Sequence, residues 1–299
     1  MEKIVLKERN ILSNIVQCTE SFINYLDVDD RTLKAYKAGI KKFMEYLNNN
    51  NIKMPSRNDL ISYRDYLRET YSSNTVNSYM IAIRRLFKYL EMNNVCENIC
   101  VDIKGAKYDT TPKKQVLTLE QTKDIYNNLV DLREKALFSL LITTGLRGIE
   151  VQRANIEDIK IHNGEVVLWV QCKKHDSKNE YVKLSNKVLE DIKNYIGNRT
   201  TGSIFISTSN ENYGNGISTT SIRKIIKNIF KRFGLDDDSF SLHSTRRTNA
   251  VISYETGSSI YDIQQVLHHS SINTTTRYLK QVDRDKNKTE YNVANAILG

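Results

Sequence analysis

The stretch from Leu242 to Leu279, LHSTRRTNAVISYETGSSIYDIQQVLHHSSINTTTRYL, holds His243, Arg246, His269 and Tyr278 within thirty-six residues and contains three of the chain's five histidines. A second cluster, TTGLRGIE, carries Arg147 and Glu150 about a hundred residues upstream, and Lys173 lies between the two. Two guanidiniums, an ammonium, two imidazoles and a phenol form a set that can hold a phosphate and attack it without a metal. A phosphodiester carries one negative charge, and attack builds more charge on its equatorial oxygens. The planar fork of arginine matches those oxygens bidentately. A preorganised donor aimed at developing charge contributes about 3–4 kcal/mol. Tyr278 is the nucleophile type suited to storing a phosphodiester end covalently. Its phenol has an ordinary pKa of about 10, so ionising it at neutral pH costs about 4 kcal/mol. Neighbouring cations lower that cost, a histidine can take the proton, and a lysine can protonate the departing sugar oxygen.

The local pattern can bring these groups together. Ser259 and Asp262 have capping-box spacing and open a helix through IYDIQQVL, with Ile263, Val266 and Leu267 on one apolar face. That helix is expected to stop near His268 and His269. SSINTTTRYL then reads as a cap followed by a short helix carrying Tyr278. His269 and Tyr278 would face one cavity from consecutive elements.

On these residues the chain resembles the tyrosine recombinases, the phage-integrase and XerC/XerD type. The family pattern is an arginine in a TGLR-x-x-E box, a lysine on a β-hairpin, H-x-x-R, and a histidine or tryptophan nine residues before the nucleophilic tyrosine. Here those positions read Arg147 with Glu150, Lys173, His243 with Arg246, His269, and Tyr278. The resemblance extends over roughly residues 13 to 285. Each box alone is weak; all of them in order and at family spacing make a strong signal.

Three positions depart from the pattern. The hairpin motif, usually G-K-G, is Cys172-Lys173-Lys174, and Lys174 and Lys178 stand close enough to compete with Lys173 for its role. The residue after the second arginine, usually histidine, is Arg247. The glycine usually preceding the third-box histidine is His268. A helix-terminating residue of positive φ favours glycine, and histidine tolerates that region better than most.

The resemblance implies a mechanism. Tyr278 would form a 3′-phosphotyrosyl link and free a 5′-hydroxyl. Arg147 and Arg246 would clamp the non-bridging oxygens, and Lys173 would be the general acid. His243 would accept a proton, His269 would donate a hydrogen bond to the phosphate, and Glu150 would orient the site through Arg147 or a histidine. The bond energy stays in the phosphotyrosine, so no cofactor, ATP or metal is expected. The implied partners are double-stranded DNA target sites and a homotetramer bridging two of them. A heterotetramer with a paralogue and accessory DNA-bending factors are further partners of the same kind.

Length and composition bound the reading. The 299 residues fit two domains of ordinary size, and a 39% hydrophobic content is ample for a core. The net charge of +9 favours a polyanionic partner, most simply nucleic acid. No apolar run approaches a membrane span and MEKIVLKERN lacks a signal-peptide core, so a cytoplasmic, nucleoid-associated location is expected. The four cysteines, Cys18, Cys96, Cys100 and Cys172, complete no zinc set with the histidines and read as reduced thiols; Cys96 and Cys100 are spaced to share a helix face.

The expected fold is mainly α with a small β-sheet: an N-terminal helical, SAM-like core-binding domain over 13–106 and a catalytic domain over 117–285. A linker, 107–116, joins them. The family resemblance implies that a tail, 286–299, is exchanged between subunits. A helical pattern runs from Ile15 to Asn49, with Leu33, Tyr36, Ile40, Phe43 and Leu47 in one stripe. Helices are expected over Arg57–Glu69 and through TVNSYMIAIRRLFKYLEMN. In the latter, Val76, Met80, Ile83, Phe87 and Leu90 face inward, and Arg84, Arg85 and Lys88 form a basic flank expected to contact phosphates. Lys174 and Arg247 are further expected DNA contacts. Thr118 and Gln121 cap the first helix of the second domain, and REKALFSLLITTG is an apolar helix closed by Gly145, which would hold Arg147 rigidly. Two strands, Glu165–Gln171 and Glu180–Leu184, would place Lys173 at a hairpin. SIRKIIKNIFKRFG puts Ile222, Ile225, Ile229 and Phe233 inside and its cations outside. After Tyr278, the DRDKNK stretch reads as a flexible connector to a short helix with Val293, Ala294, Ile297 and Leu298 on one face. No basic or aromatic arm-binding domain is expected ahead of the first unit.

The leading function is integrase- or excisionase-type strand exchange for a mobile element, with Xer-type chromosome or plasmid dimer resolution as the alternative. A type IB topoisomerase or hairpin telomere resolvase would use the same chemistry. A DNA-binding regulator with a decayed site is the non-enzymatic reading, and the intact residue set argues against it.

Overall fold

The computed structural model of the chain describes residues 11–107, 115–172 and 175–298, with 11–14 and 281–286 described by backbone alone. Lys173, Lys174 and most of the expected linker lie outside the described residues. The chain divides into two units, Met1–Thr111 and Pro112–Gly299.

The first unit contains α1 (Ile11–Tyr25), α2 (Asp30–Asn49), α3 (Arg57–Thr70) and α4 (Ser73–Met92). The helical pattern from Ile15 to Asn49 is therefore two helices. Asp29 separates them: its backbone is extended and its carboxylate accepts the Thr32 N–H at 2.9 Å, an N-cap that forces a new start. Ser56 and Asp59 form a capping box at the head of α3, and Ser72 caps α4. The apolar stripes of α2 and α4 pack against each other, with Phe22, Phe43, Tyr63 and Phe87 fully buried between the helices. Arg84 is half-buried, and its Nη2 donates to the Ile103 carbonyl at 2.6 Å, tying down the segment after α4. Arg85 and Lys88 are exposed, and the Arg85 guanidinium lies 5.6 Å from the Tyr36 ring centroid. Cys96 and Cys100 do not share a helix; Cys96 lies in a bend and Cys100 in a turn, both beyond the end of α4. All four cysteines are free thiols.

In the second unit, α5 (Leu119–Asn128) opens with the Thr118–Gln121 capping box. Next come α6 (Leu132–Thr144) and the short α7 (Gly148–Gln152). The unit's sheet is antiparallel, in the order β1 (Ile159–His162), β2 (Glu165–Val170), β3 (Glu180–Lys183). Helices α8 (Asn186–Ile196), α9 (Thr219–Arg232), α10 (Leu242–Glu255), α11 (Ile260–Val266), α12 (Ile272–Lys286) and α13 (Thr289–Leu298) complete it. Helix α6 is central, buried from Ala136 to Ile142 and packed on α8, α9 and α10. A helix apolar on all sides has to be enclosed on all sides. Enclosure makes α6 a rigid base for the turn at its C-terminal end.

Strand β1 extends the two-strand expectation. Its turn to β2 is Asn163-Gly164, with φ of 50° and 80°, the pair of positive φ values a two-residue hairpin loop of this hand requires. On α9 the buried residues are Ile222, Ile226, Ile229 and Phe230, while Ile225 and Phe233 are half-buried. The inward face is rotated slightly from the expected one because Ile226 and Phe230 continue the four-residue ridge from Ile222. On α11, Ile263 and Leu267 are buried, but Val266 is 46% exposed. The stretch expected to be a connector after Tyr278 is helical through Lys286, so α12 breaks only at Asn287 and Lys288 before α13. Among the described residues no helix is long and apolar enough to cross a membrane.

Candidate active site

Helix α6 ends because Gly145 turns left-handed, with φ of 63°. A Cβ at Gly145 would lie 2.4 Å from Leu267 Cδ2 and 3.0 Å from Asn249 Oδ1, so the site needs glycine for space as well as for conformation. Asn249 in turn donates to the Ile142 and Thr143 carbonyls at 3.0 and 2.8 Å, satisfying the open end of α6. Gly145→Ala is expected to lower stability by about 1–3 kcal/mol, through strain and a displaced Leu267. Thermal unfolding would read this, and an unchanged midpoint would show that the turn can relax.

This turn delivers Arg147 as the residue capping α7. The Glu150 carboxylate, fully buried, accepts the Arg147 backbone N–H at 2.7 Å and its Nη1 at 2.9 Å. Glu150 thus orients Arg147, one of the two routes expected for it. Arg147 keeps part of its side chain exposed and lines the cleft.

Helix α10 supplies His243, Arg246 and Arg247 from consecutive faces. Arg246 is 2% exposed. Its Nη1 donates to the Gly145 carbonyl at 2.7 Å and its Nη2 to the Leu267 carbonyl, locking the guanidinium between the ends of α6 and α11. Its Nε is buried and has no partner. Burial pulls the Arg246 guanidinium down to about 10, with Arg147 adding to the pull and Glu150 and the Tyr278 phenol opposing it. It remains a cation at neutral pH.

The end of α11 delivers His269. His268 takes the left-handed backbone with φ of 46°, as its place at a helix terminus anticipates. Its Nε2 lies 3.4 Å from the Tyr181 carbonyl, linking the α11 terminus to β3. His269 is 7% exposed, and burial, with Arg246 and Arg147 next, lowers its pKa to about 3. It is therefore neutral at pH 7. Its Nδ1 lies 2.8 Å from the Thr275 hydroxyl, itself fully buried on α12.

Tyr278 sits one helical turn after Thr275. Its Oη is 2.9 Å from His243 Nε2. Its ring meets the His243 and His269 rings edge-on, at 5.5 and 5.4 Å. The structure therefore brings His243, Arg246, His269 and Tyr278 together, with Arg147 and Glu150 beside them. A cleft of about 980 Å³ reaches the Arg147 and His269 side of this group and is bounded by Thr143, Arg147, Cys172, His268 and His269 among others, while His243, Arg246 and Tyr278 do not line it.

The matched lysine, Lys173, and its neighbour Lys174 lie outside the described residues. The third contender, Lys178, pairs with Asp158. Cys172, which borders Lys173, is buried, and that burial pushes its thiol up to about 11, so it is no reactive thiolate. Arg247, expected at a DNA-facing surface, is instead only 7% exposed and lies over the Tyr278 ring. The long side chain folds inward because α12 packs on α10 at that point.

Two contributors escape a reading of the sequence. Thr275 belongs to a TTT run that reads as ordinary helix surface; its spacing of three from Tyr278 is the available signal. Asn249 stands three after Arg246 on the same face and secures the turn before Arg147.

The arrangement matches what comparison finds. Residues 115–284, more than half of the chain, match the phage integrase family, and residues 19–94 match the phage integrase N-terminal SAM-like domain. The chain belongs to the phage integrase family. This recombinase is a tyrosine-type enzyme of site-specific DNA breaking and rejoining. Its sequence is 26% identical to tyrosine recombinase XerA of Pyrococcus furiosus over 283 residues, covering 92% of each chain. In fold, the recombinase is similar to XerH site-specific recombinase bound to palindromic difH substrate, with a TM-score of 0.72, 18% identity, and 98% and 91% of the two chains covered. It is also similar to the chains of a lambda integrase tetramer bound to a Holliday junction, with a TM-score of 0.70, 17% identity, and 89% and 76% covered.

Proposed function

We propose that this recombinase cuts and rejoins double-stranded DNA through Tyr278, with His243, Arg246, Arg147 and His269 in direct support. The observation that carries this reading is the 2.9 Å contact between the Tyr278 phenol and His243 Nε2, beside a buried arginine with a free donor. In the forward step the phenol gives its proton to His243 Nε2. Oη forms a bond to phosphorus, the bond from phosphorus to the 5′-oxygen breaks, and a lysine protonates that oxygen. A 5′-hydroxyl from the exchanging strand reverses the step. Arg147 and Arg246 hold the non-bridging oxygens. With the Thr275 hydroxyl donating to His269 Nδ1, the ring's one proton sits on Nε2, where it can donate to the phosphate.

Lys173 is the general acid of this proposal. Lys173→Ala is expected to lose cleavage of ordinary DNA and regain it on DNA with a 5′-bridging phosphorothiolate, whose sulfur leaves unprotonated. Rescue confined to Lys174→Ala would move the role by one residue.

The proposed partner is a pair of DNA sites held by a tetramer of this chain, or of this chain and a paralogue, with accessory DNA-bending factors as further partners. The lambda integrase chains of like fold were seen as a tetramer on a Holliday junction. Arg85 and Lys88, both exposed, are the proposed phosphate contacts of the first unit. Arg84 contributes less, because it already holds the Ile103 carbonyl. Integration or excision of a mobile element is the proposed role, on the departures at Cys172, Lys174, Arg247 and His268. Dimer resolution is the second reading, favoured by the match to XerA over 92% of each chain. Mapping covalent cleavage sites separates them: cleavage at junctions flanking the encoding gene supports the first, and cleavage at one chromosomal locus away from it supports the second.

A further inference from the structure

Arg247 is a buried cation that the steps above do not use. It lies on α10 next to Arg246, 7% exposed, with its guanidinium carbon 5.8 Å from the centroid of the Tyr278 ring. Its Nε and Nη1 are buried and have no hydrogen-bond partner. A charge enclosed this way is costly unless something offsets it. The group that faces it is the ring of the nucleophile.

We infer that Arg247 is a positioning residue that acts through Tyr278, lowering the cost of removing the phenol proton. This rests on the reading of Tyr278 as the nucleophile. The physical basis is a difference between two states. A neutral phenol offers the guanidinium only the negative face of its ring. A phenolate spreads a full negative charge over the ring, so the attraction becomes Coulombic between unit charges. Only an interaction that grows on ionisation can favour ionisation. At this distance, with an effective dielectric constant of about 20, the gain is about a hundredfold in the ionisation constant, and the partial solvent exposure of the half-buried Tyr278 reduces it towards about tenfold. The opposing effects on Arg247 fit this picture: burial lowers its pKa, and the charged form of Tyr278 raises it.

A second cation also bears on Tyr278. From α10, His243 receives the proton, and Arg246, which donates to two carbonyls, interacts with the phenol as well, so Arg247 adds to it from the side of the ring. From the turn between α11 and α12, His269 is neutral. Arg147 and Glu150 on α7 are paired with each other. Tyr254 packs in the same apolar cluster as Tyr278 and contributes bulk.

The test titrates the full chain, without DNA, carrying carbon-13 at the tyrosine Cζ positions. The Tyr278 signal is assigned by its loss in Tyr278→Phe. Arg247→Met is expected to raise the ionisation midpoint of Tyr278 by about one to two pH units. Arg247→Lys, which keeps the charge, is expected to move it by less than half as much. The thermal midpoint of Arg247→Met should equal or exceed that of the native chain, because an unpaired buried charge is replaced by an apolar side chain of similar length. A Tyr278 midpoint unmoved in the folded Met variant would overturn the inference. Unfolding of both variants would overturn it too, by assigning Arg247 to the fold. Covalent adduct formation by Tyr278→Phe would instead remove the nucleophile reading while leaving the titration result standing.

Discussion

Tyr278→Phe is expected to bind target DNA as the native chain does and to form no SDS-resistant protein–DNA adduct. The phenylalanine keeps the ring that meets His243 and His269 edge-on at 5.5 and 5.4 Å, so α12 stays seated on α10. The substitution removes one oxygen, the atom 2.9 Å from His243 Nε2. His243 is exposed, so water replaces that oxygen, and the stability cost is about 0.5–1.5 kcal/mol. The chemical cost is of another order. Removing a donor to the phosphate slows a step by about a hundredfold to a thousandfold; removing the atom that forms the new bond to phosphorus leaves no step at all. The adduct should therefore fall below detection, while a gel-shift midpoint measured beside it stays within about twofold, the change expected from a few tenths of a kcal/mol. An adduct persisting in this variant would refute the assignment of Tyr278.

The residues that meet at Tyr278 are legible in the sequence because chemistry fixes their types and helix geometry fixes their spacing. His269 has to come after a helix stop, and the left-handed φ of 46° at His268 is that stop. Gly145 has to end an apolar helix, and it does so against Leu267 and Asn249. The gaps have physical causes as well. Arg247 reads as surface because a charged side chain usually is; its burial depends on α12 crossing α10, which no local pattern encodes. Thr275 looks like helix surface for the same reason, since its partner His269 comes from the preceding turn. Strand β1 is four residues long, too short for alternation to show, and Asn163-Gly164 is its one strong signal. The helical stretch from Ile15 to Asn49 hides a break because Asp29 caps from within a run whose periodicity barely changes. The polar run after Tyr278 reads as a connector because polarity resembles looseness, yet Asp283 to Lys286 continue α12.

The observed length of α12 sharpens the expectation for the tail. Deleting 287–299 is expected to leave binding to a single half-site within about twofold of the native chain and to abolish synaptic complexes and recombination. Helix α13 is ten residues long, and none of its residues is buried. Val293, Ile297 and Leu298 are 50%, 74% and 84% exposed, and with Ala294 they line one apolar face. A helix this short is marginal alone in water and needs a surface to dock on. Each large apolar side chain on that face would gain about 1.5–3 kcal/mol if fully buried, enough in sum to hold a subunit contact of modest size. Since α12 runs unbroken from Ile272 to Lys286, a pull on α13 reaches Tyr278 through a rigid rod interrupted only at Asn287 and Lys288. Docking on a neighbouring copy would thus couple assembly to the position of the nucleophile, whereas docking on its own unit would not. The cut at 287 removes α13 and its two-residue connection and spares the helix that carries Tyr278, so half-site cleavage should survive where strand exchange does not. Normal recombination by the truncated chain would show that the tail is not the assembly element. Loss of half-site binding as well would show that it stabilises its own unit.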